Sequence, residues 1–214
     1  MKVYFISGLA ADSRVFKNIE LPAHCQAVHL EWIQPFKKES LKDYALRLAA
    51  GIDTSTPFAI IGLSMGGMIT TEIARQYKPA FVILISSIPA SGQLPFYFKA
   101  AGAIGLHKMM PVALVKSAAK FKRVFTSEST EDKIILRHII QDSDPRFILW
   151  AMDAILKWKS EPLPPPYTHI HGTKDEVLPL RFTKPTHIIP KAGHLMVMNR
   201  AGEINAILKQ VLTN

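Results

Sequence analysis

The chain has 214 residues, 48% of them hydrophobic, and 26 lysines and arginines against 17 acidic residues give a formal charge of +9. This length and apolar content give one domain, or one domain carrying a large insertion, with a buried core, and exclude a disordered chain. The longest apolar runs fall far short of the roughly 20 residues of a membrane span, and the scattered basic residues accompany no nucleic-acid-binding motif, so neither integral membrane association nor a nucleic-acid partner is expected.

Residues 2–6 read as a first strand: one lysine and then an apolar run too short for a signal peptide. With a single cysteine, Cys25, no internal disulfide is available, and a cytoplasmic location is expected. Further strands are expected at 26–30, 58–61, 81–85, 168–171 and 186–189. Several are unbroken hydrophobic runs, as in parallel strands covered on both faces. Helices are expected between and after them at 40–51, where Leu41, Tyr44, Ala45 and Leu48 share a face, at 65–77, and at 199–212 with Ile204, Ile207, Leu208 and Val211. Strand–helix–strand alternation with right-handed crossovers predicts an α/β fold with a doubly wound, mostly parallel sheet of about six strands.

Residues 91–160 break that rhythm. They hold no convincing strand, only helical patterns at 112–125, 130–140 and 144–158, the last with Pro145 in its first turn. A proline-rich return at 161–166 follows. The expected organisation is an α/β core formed by 1–90 and 161–214, with 91–160 inserted as an all-helical lid.

The strongest chemical signal is Gly62-Leu63-Ser64-Met65-Gly66, entered from a strand and left by a helix. A serine on so sharp a turn needs glycines at the flanking positions, and the turn lifts its hydroxyl above the sheet edge. The helix N-terminus that follows favours a developing oxyanion. A phosphate loop or dinucleotide site would require other glycine spacings, which are absent.

A serine nucleophile needs a base, and the base an orienting acid, in the chain order Ser, Asp or Glu, His. His138 falls on an insertion helix, His169 and His171 in a strand, and His187 in the last strand. His194 instead follows Gly193 in the loop after the last strand, at the sheet edge where α/β proteins gather active residues. Asp175 occupies the corresponding loop after the preceding strand and is the expected acid. Glu176 is the nearest competitor, and Asp142 and Asp153 would have to reach back from the insertion. Asp175 also suits a cap of the turn that follows, a compatible role. An oxyanion hole would use the backbone N–H of Met65 and that of Leu9, with Gly8 permitting close approach. Asp12 and Ser13 read mainly as a cap for the next helix.

Ser7-Gly8-Leu9, the Gly62–Gly66 turn, His171-Gly172-x-x-Asp175 and Gly193-His194 together resemble the α/β-hydrolase superfamily, in order and spacing, across nearly the whole chain. The likeness is greatest to small, lidded, carboxylesterase-like serine hydrolases. It implies cofactor-free chemistry, a helical cap over the site and, in hydrolytic members, an acyl-enzyme. Ser7-Gly8 replaces the family's usual His-Gly, and the usual N-terminal antiparallel hairpin has no expected counterpart, which leaves about six parallel strands. A serine at the elbow argues against members that use aspartate there, such as haloalkane dehalogenases and epoxide hydrolases.

The leading expectation is hydrolysis of a carboxylic ester or thioester. The alternatives are a lyase or carbon–carbon hydrolase using the same three residues as a base, and a low-turnover ligand-binding member of the fold. The expected partner is a small acyl substrate. Residues 91–160 carry 11 basic and 6 acidic residues, densest at Lys116, Lys120, Lys122 and Arg123. This is either a solvated helix face or a recruiter of an anionic or carrier-bound substrate. The aromatics Phe96, Phe98, Phe121, Phe147, Trp150 and Trp158 either line an acyl pocket or pack the insertion on the core.

Overall fold

Alternate residues of the first strand enter different cores: Tyr4 and Ile6 join one apolar cluster, Val3 and Phe5 the other. Because both faces are covered, the strand reads as an unbroken apolar run. The computed structural model describes residues 1–103 and 129–213. Its strands are β1 (Lys2–Ile6), β2 (Gln26–His29), β3 (Phe58–Leu63), β4 (Phe81–Ile85), β5 (Thr168–Gly172) and β6 (His187–Ile189). They form one six-stranded sheet in the order β2-β1-β3-β4-β5-β6, with every neighbouring pair parallel.

The helices are α1 (Leu41–Leu48), α2 (Met65–Tyr77), α3 (Phe96–Ala103), α4 (Thr130–Asp142), α5 (Pro145–Lys157), α6 (Met196–Asn199) and α7 (Ala201–Thr213). Helices α1, α2 and α5 cover the Tyr4–Ile6 face, while α6 and α7 cover the Val3–Phe5 face. Local chemistry sets several boundaries. Ser40 caps α1 through the Asp43 N–H, Asp144 caps α5 through the Arg146 N–H, and Pro145 supplies the first residue of α5. Asp12 accepts from the Arg14 N–H and caps a short 3₁₀ turn at Ser13–Phe16, the expected role.

The expected and observed elements differ mainly at their ends. Strand β3 runs on through Gly62 and Leu63 because both pair in the sheet. The C-terminal helix begins at Ala201 and not at 199, because the separate turn α6 precedes it. The helix expected at 112–125, with Lys116, Lys120, Lys122, Arg123 and Phe121, lies outside the described residues.

The chain reverses winding direction between β1 and β3, which are neighbours in the sheet. Their carboxyl ends therefore flank a crevice of the kind α/β proteins use for ligands. Between β4 and β5, α4 and α5 go to opposite faces. Leu136 and Ile139 of α4 join the core with Phe5, and Phe147, Ala151 and Ala154 of α5 join the core with Tyr4. At the foot of this segment Ser91 and Ser160 bind each other. The Ser91 N–H and hydroxyl both donate to the Ser160 carbonyl, at 3.1 and 3.0 Å, and the Ser160 N–H donates to Ser91 Oγ at 2.9 Å. Of the aromatics in this segment, Phe98, Phe147, Trp150 and Trp158 pack on the core, whereas Phe96 is exposed. Trp150 rests on Tyr44 with ring centroids 4.4 Å apart, and the Trp158 indole donates to the buried Glu72 carboxyl group at 2.8 Å.

Candidate active site

Leu63 pairs with Ile85 in the sheet, and the next residue, Ser64, must turn sharply to enter α2. Ser64 takes φ 52° and ψ −118°, outside the ordinary regions for a residue with a side chain. Such a conformation costs about 1–3 kcal/mol and persists only where its surroundings enforce it. Here the Ser64 N–H donates to the Ile85 carbonyl at 3.0 Å, and the Ser87 hydroxyl donates to the Ser64 carbonyl at 2.6 Å. The flanking glycines are required by close approach. A methyl group on Gly62 would lie 2.4 Å from the Gly66 oxygen, and one on Gly66 would lie 2.2 Å from the Ile6 and Ser7 oxygens. The second contact brings the end of β1 against the start of α2.

The loops after β5 and β6 are stitched together in the same way. A methyl on Gly172 would meet the Ala192 oxygen at 2.2 Å. Its absence lets the Lys174 N–H reach that oxygen at 2.8 Å, while the Lys191 N–H donates to Thr173 Oγ1 at 2.8 Å. These contacts bring Asp175 and His194 together. His194 Nδ1 is 2.8 Å from Asp175 Oδ2, and His194 Nε2 is 2.9 Å from Ser64 Oγ. With Nδ1–H donated to a carboxylate, Nε2 is free to accept the serine proton. Ser64 remains partly exposed, whereas Asp175 and His194 are buried.

Asp175 is held from several sides. Its Oδ1 accepts from the Val177 and Leu178 N–H groups at 2.9 and 2.8 Å, so it caps its own loop while facing His194. Burial alone would raise its pKa. The His194 charge and hydrogen bond, the Leu178 N–H and His171 outweigh burial and hold the carboxyl below the ordinary aspartate range. The competing acids stand elsewhere: Glu176 is exposed, Asp142 pairs with Arg14, and Asp153 pairs with Lys157. His138 is exposed, and His187 contacts Thr186.

Gly8 adjoins the serine, since a methyl there would stand 3.3 Å from Ser64 Cβ. Among the described residues, neither the Leu9 nor the Met65 N–H makes a turn, loop or cap hydrogen bond. Beyond Leu9, the loop turns through Ala10 at φ 55°, and the Ala11 carbonyl accepts from the Trp32 indole at 2.8 Å and from the Ser7 hydroxyl at 2.9 Å. Ser7, in place of the family's histidine, thus braces this loop from within. Ala10, Ala11 and Asp12 share a cavity of about 230 Å³ with Asp142, Ser143, Asp144 and Phe147, where α4 meets α5.

His171, expected in a strand and found there, also has its Nε2 3.4 Å from Asp175 Oδ2. The four-residue interval from His171 to Asp175 is the one sequence signal that would have pointed to it. Among the described residues no group of three or more histidines, cysteines or acidic residues is arranged to hold a metal ion, and no helix is long and apolar enough to cross a membrane.

A doubly wound parallel sheet has a serine at a strand–helix elbow, that serine meets a histidine from the last strand-end loop, and the histidine meets an aspartate from the loop before it; this is the arrangement of an α/β hydrolase. Residues 3–207 match the model of the alpha/beta hydrolase family, and the chain belongs to that family. No curated protein matches it in sequence. Among solved structures it is similar to a thermophilic esterase from Thermogutta terrifontis (19% identity, all of this chain and 89% of that one, TM-score 0.71). It is also similar to the enol-lactonase from Burkholderia xenovorans LB400 (16% identity, all of this chain and 91% of that one, TM-score 0.74). A third similar structure is Est816, described as an N-acyl homoserine lactone degrading enzyme (15% identity, 97% of this chain and 92% of that one, TM-score 0.72).

Proposed function

We propose that this α/β hydrolase cleaves a carboxylic ester or thioester through an acyl-enzyme, with Ser64 as nucleophile, His194 as general base and acid, and Asp175 as the orienting carboxylate. The observation that carries this reading is the unbroken hydrogen-bond chain from Asp175 Oδ2 through His194 to Ser64 Oγ, 2.8 and 2.9 Å. Ser64 Oγ attacks the acyl carbonyl as its proton passes to His194 Nε2. Asp175, accepting Nδ1–H, keeps the imidazole in the productive tautomer and stabilises the imidazolium. The Leu9 and Met65 N–H groups receive the oxyanion, aided by the N-terminus of α2. The tetrahedral intermediate collapses, His194 gives its proton to the departing alcohol or thiol, and water then repeats the sequence to release the acid.

Residues 91–160 are read as a helical lid inserted in a core of 1–90 and 161–214. The mutual hydrogen bonds of Ser91 and Ser160, which close the two ends of the segment, support this, as does the cavity between the α4–α5 junction and the Ala10–Asp12 loop. An ester substrate is also favoured by the similar structures, described as an esterase and as enzymes of lactones, which are cyclic esters.

The test is a panel of chromogenic esters and thioesters of increasing acyl length. Release is expected to begin with a burst stoichiometric with enzyme for at least one acyl group, and to vanish in Ser64→Ala. Turnover that survives Ser64→Ala contradicts the reading. Modification of Ser64 by a phosphonate without turnover of any ester or thioester transfers it to the lyase or carbon–carbon hydrolase alternative.

A further inference from the structure

Behind Asp175 lies a second pair of imidazoles that the proposed reaction leaves unused. His169 and His171 alternate with Ile170 on β5, so both rings leave the same face of the strand. Both are fully buried and meet edge-on, with centroids 5.3 Å apart. His171 Nε2 is 2.7 Å from the Leu178 carbonyl oxygen, which has no proton to give, so this nitrogen carries the hydrogen and donates it. The same N–H stands 3.4 Å from Asp175 Oδ2. His171 Nδ1 is then the acceptor, and His169 Nε2, 3.3 Å away, is its donor. That leaves His169 Nδ1 without a proton.

We propose that His171 is a positioning residue for Asp175, locked as its Nε2–H tautomer by His169. The inference rests on the role proposed above for Asp175. Leu178 is the link: its N–H donates to Asp175 Oδ1 at 2.8 Å, and its carbonyl accepts from His171 at 2.7 Å. By fixing the Leu178 peptide, His171 fixes the turn that aims Oδ1, and it closes the side of Oδ2 that His194 leaves open. Valine or isoleucine on β5 would avoid the cost of desolvating two polar rings, but would supply no donor to the Leu178 carbonyl. The groups facing His171 are Asp175, His194, His169 and the Leu178 backbone. Burial, the largest influence, lowers the His171 pKa against the opposing pull of Asp175 and the Leu178 carbonyl, with His194 lowering it further. The pair therefore stays neutral while Asp175 is charged, and acts as a fixed donor.

His171→Gln keeps an N–H near the position of Nε2, and His171→Met keeps the length without the donor. His171→Met is expected to lower kcat, or the rate at which a fluorophosphonate modifies Ser64, by roughly tenfold or more with little change in KM, as misalignment of a reacting group does. Loss of the donor makes the carboxylate more basic, so the acid limb of kcat/KM is expected to move to higher pH, reporting the coupled pair. His171→Gln is expected to restore both within about threefold, a donor replaced by a donor. Equal losses in the two variants, or none in either, overturn the proposal.

NMR supplies a readout that needs no substrate. In the wild type, ¹⁵N shifts are expected to give the Nε2–H tautomer for His171. The downfield proton between His194 and Asp175 is expected to move in His171→Met and return in His171→Gln. An Nδ1–H tautomer at His171 in the wild type overturns the positioning role even if a variant fails to fold, and a proton indifferent to both substitutions in folded variants overturns it as well. The expected NMR pattern in a protein whose Ser64 is inert would sink the hydrolase reading and leave the positioning role standing.

Discussion

Gly66, in the first turn of the helix after Ser64, lies so close to the end of β1 that an added methyl would stand 2.2 Å from the Ile6 and Ser7 oxygens. The elbow and the Gly8–Leu9 loop are therefore one packed unit. Gly66→Ala must push backbone against backbone, and a destabilisation of about 2–3 kcal/mol is expected in urea unfolding, the upper range for overpacking. Gly202→Ala serves as the opposite case. Gly202 lies in α7 with nothing within 4 Å of the added carbon, so a gain of about 0.5–1 kcal/mol is expected from helix propensity. Equal effects at the two glycines would contradict the packing argument.

Asp175→Asn separates the carboxylate's structural and chemical duties. The amide oxygen can still accept from Val177 and Leu178, so the thermal midpoint is expected to fall only slightly. The side chain can no longer stabilise a positive imidazole, and kcat is expected to drop by about 10³–10⁴. An Asp175→Asn enzyme within tenfold of the wild type would remove Asp175 from the proposed mechanism.

Stability should fall on mild acidification because of the β5 histidines. Burial, and then the neighbouring His171, lower the His169 pKa to about 3, and burial lowers that of His171 as well. Unfolded histidines take up protons near pH 6.5, before the folded ones do. Between that pH and the folded values the unfolded state binds more protons, so stability drains as pH falls, at up to about 1.4 kcal/mol per pH unit for each histidine. Asp175 acts at lower pH: its folded pKa is depressed, so its contribution is lost as pH falls through that value. Urea midpoints from pH 7.5 to 4.5 should therefore slope downward, and the slope should be shallower in His169→Gln. An unchanged slope would show that His169 takes up its proton over the same pH range in the folded and unfolded states, and would contradict the effect of burial.

Trp158 joins the segment after α5 to α2 by donating to the buried Glu72 carboxyl group. Trp158→Phe leaves that group without its donor and is expected to cost about 2–4 kcal/mol, part from lost ring volume and part from the orphaned acceptor. Adding Glu72→Met should recover a portion, giving a favourable coupling of about 1 kcal/mol or more in the double-mutant cycle. Strict additivity would mean that the hydrogen bond contributes nothing.

The sequence made the sheet legible because strands buried on both faces are unbroken apolar runs, as in Phe81–Ile85. It concealed Gly62 and Leu63 as strand residues, since a glycine next to the elbow reads as part of the turn. It also places the start of the last helix at 199, two residues early, and leaves the short turn α6 unread, because four residues ending just before Arg200 are too few to show a helical period. Ser64, Asp175 and His194 were readable from chain order and from their places at strand ends. His171 was not, because its approach to Asp175 depends on how the turn at Leu178 folds back. Likewise, the closeness of Gly66 to Ile6 is a tertiary fact that the motif records only as a glycine.

The central claim is that Ser64 is an activated nucleophile. Intact-protein mass spectrometry after incubation with an alkyl fluorophosphonate, followed by peptide mapping, tests it most directly. One adduct per chain on the peptide containing Ser64 is predicted, absent in Ser64→Ala and strongly slowed in His194→Ala. An unmodified wild-type chain, or an adduct that persists in Ser64→Ala, would contradict it.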